Sequence, residues 1–213
     1  MEQAPWRPLP ELINYAAKEY GFNQALVDGE FQWSFVELKT EIYKSANALI
    51  ETGLKAGDRV GIWAPNTWEW VIAALGVHIA GGVLVPINTR FKGKEASYVM
   101  TKANVSLLFT VTDFLETNYV ELLQGTDVEE KLQEIIVLKG STDQRTTSFS
   151  DFLQRATESR LPEVQKRAES VSGEDLCHIM FTSGTTGAPK GAMLKHSAVV
   201  RGYNDWAEII GLQ

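Results

Sequence analysis

One cysteine in 213 residues, Cys177, leaves no partner for an internal disulfide. The fold must rest on its core, and the usage fits a reducing, cytosolic compartment. No basic block or aromatic-basic stripe interrupts a chain whose formal net charge is −7, which argues against nucleic acid as a partner. The opening residues MEQAPWRPLP lack a basic segment followed by an apolar one, so no secretory signal is read there. Internal repeats and low-complexity tracts are missing too. What remains is ordinary for a soluble globular protein, with 44% hydrophobic and 22% charged residues. Such length holds one domain, or one plus part of another. An acidic chain that binds an anion needs a local device, such as oriented amides or one placed lysine.

Charge is absent over one long stretch, Trp70 to Thr89, which contains no Lys, Arg, Asp or Glu. Its length approaches that of a membrane span. His78, Gly81-Gly82, Pro86 and Asn88 interrupt it, however. A helix packed on a sheet, a Gly-Gly turn and a buried strand account for the same residues better.

The rest of the chain alternates helical and strand signals. ELINYAAKEY is amphipathic and ends near Gly21; QALVDGEFQWSF reads as a hairpin joined at Asp28-Gly29. Ser34 with Glu37 is a capping box opening a helix that stops near Gly53. A turn at Gly57-Asp58 precedes a strand over Val60 to Trp63, a helix from about Thr67 to Ala80, and the strand VLVPI ending at Pro86. KGKEASYVMTKAN reads as helix, VSLLFTV as strand, DFLETNYVELLQ as helix and EIIVL as strand. STDQRTT is a polar loop, SFSDFLQRATES a helix capped by Ser148 or Ser150, and LPEVQKRAESVSGED an exposed connection. LCHIMF is the last strand, and SAVVRGYNDWAEIIG the last helix. Short apolar strands alternating with helices define an α/β fold, a mostly parallel sheet layered with helices, with the early hairpin at an edge. Such sheets bind ligands beyond the C-terminal ends of their strands.

FTSGTTGAPKGAML follows such a strand end. Gly184, Gly187 and Gly191 can take positive φ and let a ligand approach the backbone. Thr182, Ser183, Thr185 and Thr186 add four hydroxyls, Lys190 adds one cation, and Pro189 stiffens its approach. Amides, hydroxyls and one ammonium in a short arc suit a polyphosphate. A Walker A loop is excluded, because Pro189 stands where it needs glycine and Gly191 where it needs serine or threonine. A flexible loop that binds nothing is the competing reading, and the placed lysine weighs against it.

FTSGTTGAPKGAMLKHSAVV closely resembles the phosphate-binding signature of the AMP-forming adenylating enzymes, matching at every position from Thr182 to Gly191. Leu194 and His196 also match, with Lys195 where threonine is common. Upstream, GLKAGDRVGIWAPNTWEWVIAALGVHIAGGVLVPINTRF resembles the same family's N-terminal core, most similar in VPINTRF to the acyl-CoA synthetase branch. There Asp58, Arg59, Asn88 and Arg90 are expected to be structural, the first two as a turn acid and a surface ion pair. The resemblance implies ATP-dependent activation of a carboxylic acid, most naturally a fatty acid, to an acyl-adenylate and then a thioester. It implies ATP, Mg2+ and coenzyme A as cofactors and cosubstrate, and a cytoplasmic ligase. It assigns Thr182, Ser183, Gly184, Thr185, Thr186, Gly187 and Lys190 to the ATP phosphates, Lys190 as pyrophosphate stabiliser, and no residue to a metal.

The family's aromatic-Gly-x-Thr-Glu motif, ribose aspartate, hinge and C-terminal lysine have no counterpart after residue 191. Residues 1–213 are therefore read as the N-terminal portion of the adenylation domain. This portion is expected to be inactive alone, to expose apolar surface, and to need its C-terminal part or self-associate. The alternative is a non-catalytic nucleotide-binding or interaction module of the same descent. Cys177 is expected in the core rather than as a nucleophile. His78 is expected as a hydrogen-bonded core residue, and His196 as orienting backbone at a helix start. His178 is given no role; strand alternation puts it with Met180 and opposite Cys177 and Ile179.

Overall fold

The computed structural model describes residues 6–182 and 188–211. Helix α1 (Leu9–Glu19) ends where Gly21 turns to φ +42. Strands β1 (Gln24–Asp28) and β2 (Phe31–Ser34) form the hairpin, but Asp28 pairs with Phe31, so the loop is Gly29-Glu30, one residue later than expected. Nor does the hairpin lie at the edge of the main sheet; it is a two-stranded sheet of its own. Its aromatics explain why. Phe31 and Trp33 pack on Trp68 at centroid distances of 5.1 and 5.0 Å, and Asp28 Oδ2 accepts the Trp68 N–H at 2.9 Å.

Helix α2 (Phe35–Glu51) opens with the capping box: the Ser34 hydroxyl accepts the Glu37 N–H, and Glu37 Oε2 accepts the Ser34 N–H at 2.9 Å. β3 (Arg59–Trp63), α3 (Trp68–Ile79) and β4 (Val83–Pro86) follow within the expected bounds. The charge-free stretch is thus a buried helix, a turn with Gly81 at φ +77, and a buried strand. Among the described residues no helix is long and apolar enough to cross a membrane.

α4 (Gly93–Ala103) and β5 (Val105–Val111) come next. The expected helix after them shrinks to α5 (Tyr119–Leu122), because Leu115 and Glu116 both take positive φ and turn the chain before Asn118 caps the helix. β6 (Glu134–Lys139) and the short β7 (Thr147–Ser148) precede α6 (Phe149–Leu153), capped by Ser148 through the Asp151 N–H. α6 stops well short of the expected segment, and a 3₁₀ turn follows at Glu158–Arg160.

The segment read as an exposed connection is a helix, α7 (Leu161–Ser170). Its buried stripe is only Val164 and Ala168, too narrow to stand out in a polar sequence. Side chains fasten it: Arg160 Nε reaches Glu51 at 2.8 Å, and Arg167 Nη1 donates to the Leu54 carbonyl at 2.6 Å. Buried Asn47 gives both ends of its amide to the Thr157 backbone just ahead. β8 (Leu176–Thr182), β9 (Lys190–Lys195) and α8 (His196–Ile210) follow, β9 forming a strand where the sequence suggests a loop.

The main sheet has the order β7-β6-β5-β3-β4-β8-β9, parallel throughout except for β9, which runs antiparallel to β8. Its centre is dry: Val60, Ile62, Trp63, Val85, Leu107 and Phe109 are buried on strands flanked by helices. Fully burying a large apolar side chain stabilises by about 1.5–3 kcal/mol. Arg59 is not the ion pair expected of it. Its guanidinium donates to the carbonyls of Gly57, Ala103 and Asn104, while Asp58 caps its own turn by accepting the Lys55 N–H. Asn88 is structural as expected, its Oδ1 accepting the Arg90 backbone N–H at 2.9 Å.

Helices α2 and α3 meet where Gly76 faces Ser45. A Cβ on Gly76 would stand 2.5 Å from Ser45 Oγ and 2.8 Å from its Cβ, and that Oγ is buried with no hydrogen-bond partner among the described residues. Gly76→Ala is expected to destabilise by about 2 kcal/mol through overpacking. Ser45→Ala, which removes an orphaned hydroxyl, should be neutral or stabilise by up to about 1 kcal/mol. Urea unfolding of both variants checks this; equal destabilisation by the two would contradict the contact.

Glu134 and Arg155 join β6 to the end of α6 through bonds of 2.6 and 2.7 Å, with Thr147 on the same carboxylate at 2.6 Å. Burial pushes the Glu134 pKa up, but Arg155 and Thr147 outweigh it and hold the carboxyl below its ordinary value. A depressed carboxylate stabilises above its unfolded pKa, and that stability is lost as pH falls through the folded one. Glu134→Gln should therefore cost about 2 kcal/mol at pH 7. The penalty should shrink as pH falls below the ordinary carboxylate range, read as the difference in urea midpoint.

Candidate functional site

The sequence signature falls partly on the described residues and partly outside them. Ser183, Gly184, Thr185, Thr186 and Gly187 lie outside the described residues. The described part lies on the β8–β9 ribbon, in which Thr182 pairs directly with Lys190. Residues opposite one another on an antiparallel pair project to one face. The ribbon thus brings Thr182 and Lys190 together at its open end, both exposed. Lys190 begins a strand rather than lying in a loop, a correction with a simple cause: GAMLK alternates too weakly to read as strand without its partner. Among the described residues no carboxylate pairs with Lys190, whereas Lys195 at the other end of β9 is held by Glu174 at 2.7 Å.

Gly191 serves differently from the expectation. It is not among the glycines at positive φ. A Cβ there would meet Ile179 Cγ2 at 2.9 Å and Phe181 Cζ at 3.1 Å. Its smallness lets β9 lie across β8 side chains, next to the lysine. From α4, the Tyr98 hydroxyl donates to the Pro189 carbonyl at 3.3 Å, steadying the strand's approach.

The base of the ribbon is tied to the rest of the molecule. At the α8 start, the His196 and Ser197 N–H groups donate to the Asp175 and Gly173 carbonyls at 3.0 and 2.9 Å. His196 does orient backbone, but that of α1: its Nδ1 accepts the Leu9 N–H at 3.3 Å. Burial, then the neighbouring His178, lowers its pKa to about 4.

Behind the ribbon lies a cluster that sequence reasoning divided wrongly. His78 is the hydrogen-bonded core residue expected, and its partner is His178, with Nε2 atoms 3.1 Å apart. Cys177 Sγ lies 4.0 Å from His78 Nδ1 and Nε2. Alternation set Cys177 and His178 on opposite faces. A register shift in the β8–β9 pairing between Leu176 and His178 brings their donor atoms together instead. Burial pushes the Cys177 thiol up to about 12, so it is no nucleophile. Burial lowers His178 to about 4. Burial, then His178 and His196, holds His78 well below its ordinary value, against the pull of the Gly82 backbone. All three histidines stay neutral at pH 7. No sequence signal could have joined residues 78 and 178.

A cavity of about 600 Å3 opens between β8, β4 and α8, lined by Trp70, Pro86, His178, Met180, Tyr203 and Trp206. Tyr203, Trp206, Ile209 and Ile210 are exposed on α8, as are Met180 and Met193 on the ribbon. Exposed apolar surface is therefore present on α8 and the ribbon, and also elsewhere, as at Phe22 and Leu115.

A mostly parallel sheet covered by helices, with a hydroxyl- and glycine-rich sequence after a strand end and a lysine beyond it, defines the class of α/β proteins that bind ligands at their strand ends. A family model described as AMP-binding enzyme matches residues 13–211, and the chain belongs to that family. It is 36% identical over 203 residues to the 3-[(3aS,4S,7aS)-7a-methyl-1,5-dioxo-octahydro-1H-inden-4-yl]propanoyl:CoA ligase of Rhodococcus jostii, covering 93% of this chain and 39% of that protein. It is 32% identical over 193 residues to the mitochondrial medium-chain acyl-CoA ligase of Homo sapiens, covering 84% and 31%. The chain thus spans about two fifths or less of the length of these curated relatives. In fold it resembles an anthranilate CoA ligase solved with anthranoyl-AMP, at a TM-score of 0.79 and 24% identity over 92% of this chain and 36% of the other. It also resembles a Mycobacterium tuberculosis fatty acyl CoA synthetase, at 0.78 and 21% over 94% and 37%.

Replacing Gly191 by Ala is expected to destabilise the ribbon by about 1–2 kcal/mol, since Ile179 and Phe181 must give way. Hydrogen exchange of the β8 and β9 amides measures this. Unaltered protection in both strands would mean that the glycine is not there for packing.

Proposed function

We propose that these residues supply the phosphate-gripping part of an AMP-forming acid–thiol ligase, which activates a carboxylic acid with ATP and passes the acyl group to coenzyme A. The observation that carries the reading is the register pairing of Thr182 with Lys190, which has no carboxylate partner among the described residues. Family membership and the ligase names of the relatives support it. The donor set suits the group it would hold: hydroxyls and one ammonium, with no carboxylate paired to the ammonium among the described residues. Attack of a carboxylate on the α-phosphate leaves negative charge on departing pyrophosphate. Donors fixed around the β- and γ-phosphates stabilise that charge more in the transition state than in the ground state.

In this reading Thr182, Ser183, Thr185 and Thr186 donate hydroxyl hydrogens to phosphate oxygens, the amides of Gly184 and Gly187 add to them, and Lys190 neutralises the leaving group. Magnesium would screen the phosphates when bound, and no residue of this chain is assigned to it. The carboxylate is taken to be a fatty acid, and the compartment the cytoplasm. Because the chain spans 39% of the length of its Rhodococcus relative, turnover is assigned to a protein that includes the remaining length. The 213 residues alone are the N-terminal portion of the adenylation domain, which grips Mg-ATP weakly and completes no cycle. The exposed apolar surface of α8 supports the need for further covering structure or self-association.

The test uses a protein of the relatives' full length carrying these 213 residues. Lys190→Ala should slow pyrophosphate release about 10²-fold while the KM for carboxylate changes little. Unchanged pyrophosphate release would refute the assignment. ATP binding without any acyl-adenylate, across carboxylates of graded length, would instead support a non-catalytic nucleotide-binding module.

A further inference from the structure

We propose that His78, Cys177 and His178 form a site for one zinc-class transition-metal ion, with a fourth ligand supplied from the adjoining cavity. The inference is independent of the ligase reading, which assigns these side chains nothing. A thiolate with two imidazoles is a donor set that late first-row metals favour.

The fold gathers the donors that such a site needs. The three donor atoms all lie within 4.8 Å of one another. His78 Nε2 and His178 Nε2 are 3.1 Å apart, and Cys177 Sγ is 4.0 Å from His78 Nε2. Bonds of about 2.0–2.3 Å around a tetrahedral zinc place donors roughly 3.3–3.8 Å apart. The two nitrogens need only part slightly, while the sulfur, 4.0 Å from both ring nitrogens of His78, has to swing from beside the ring toward the Nε2 side, a rotation of the Cys177 side chain. Burial limits larger departures, since Cys177 is 0% and His78 1% exposed.

The surroundings suit the role. The β8 irregularity aims two consecutive residues at one point, which regular pleating would not do. His178 lines the 600 Å3 cavity, which offers a route from solvent and room for a water as fourth ligand. His196, whose ring centroid is 5.3 Å from that of His78, is already engaged with the Leu9 amide and stays a neighbour. On binding, the Cys177 sulfur gives its proton to solvent and ligates as thiolate.

The competing arrangement is metal-free, a single hydrogen bond between two neutral imidazoles beside a buried thiol. Titration of the 213-residue chain with Co2+ separates the two, the chain being made without a histidine tag and stripped with chelator. One equivalent should bind, with thiolate-to-cobalt charge-transfer absorption and the intense visible bands of four-coordinate cobalt, all displaced by one equivalent of Zn2+. Cys177 is the sole cysteine, so that charge-transfer band reports this site without any variant. Cys177→Ser and His178→Asn should each weaken binding about 10- to 100-fold, with circular dichroism showing that they remain folded. Absence of the charge-transfer band in the parent chain, or affinity unchanged in folded variants, overturns the site.

Discussion

The constraint on which the rest of the structure depends is the dryness of the β3–β4 pair. A parallel strand buried on both faces can carry no charge and must close every polar group internally. The stretch from Trp70 to Thr89 meets the first demand by composition. The second is met locally. Trp63 Nε1 donates to the Asn88 carbonyl at 3.1 Å, and the Thr110 hydroxyl donates to the Trp63 carbonyl at 3.0 Å. With the centre closed in this way, α3 has one place to pack, and α2 must cross it at the Gly76–Ser45 contact.

From that centre the sheet changes character toward β8. Leu84 opposite His178 is the pairing that joins β4 to β8, whereas β8 pairs with β9 over six positions. Exposure follows the same gradient: Cys177 and Ile179 are buried, Met180 and Thr182 are not. β8 thus leaves the core as it runs, and its last residue emerges in solvent beside Lys190. A ligand-binding turn needs such a handover, because a loop born inside the dry layer could not meet a hydrated anion. The fastening of α8 to Asp175 and Gly173 fixes the other end of the ribbon.

The sequence disclosed those parts whose cause is local. The capping box at Ser34, the β3–α3–β4 unit and the signature from Thr182 to Gly191 each depend on neighbours within a few positions. What stayed hidden depends on distant partners. β9 needs β8 before GAMLK reads as strand. α7 buries two side chains and relies on Glu51, Leu54 and Asn47 for the rest of its hold. The hairpin's separation from the sheet follows from Trp68, some forty residues away. The pairing of His78 with His178 spans a hundred positions and follows no period. At the candidate site the residue types were legible, while their supports, Tyr98 beneath Pro189 and the close fit around Gly191, were not.

Charge gives the final step. A protein with net charge −7 repels anions at long range, so any phosphate site must be made within contact distance. The described arginines illustrate how positive charge is otherwise absorbed: Arg155 on Glu134, Arg160 on Glu51 and Glu163, Arg167 on Glu163 and two carbonyls, Arg59 on three carbonyls. Lys190, like most of the lysines, has no carboxylate partner among the described residues; its distinction is its place, exposed and in register with Thr182 at the end of the ribbon. A side chain with a carboxylate partner would have to give it up before meeting phosphate, and the exchange would return little net energy. An exposed lysine without such a partner keeps its full charge available to any anion that comes within contact distance.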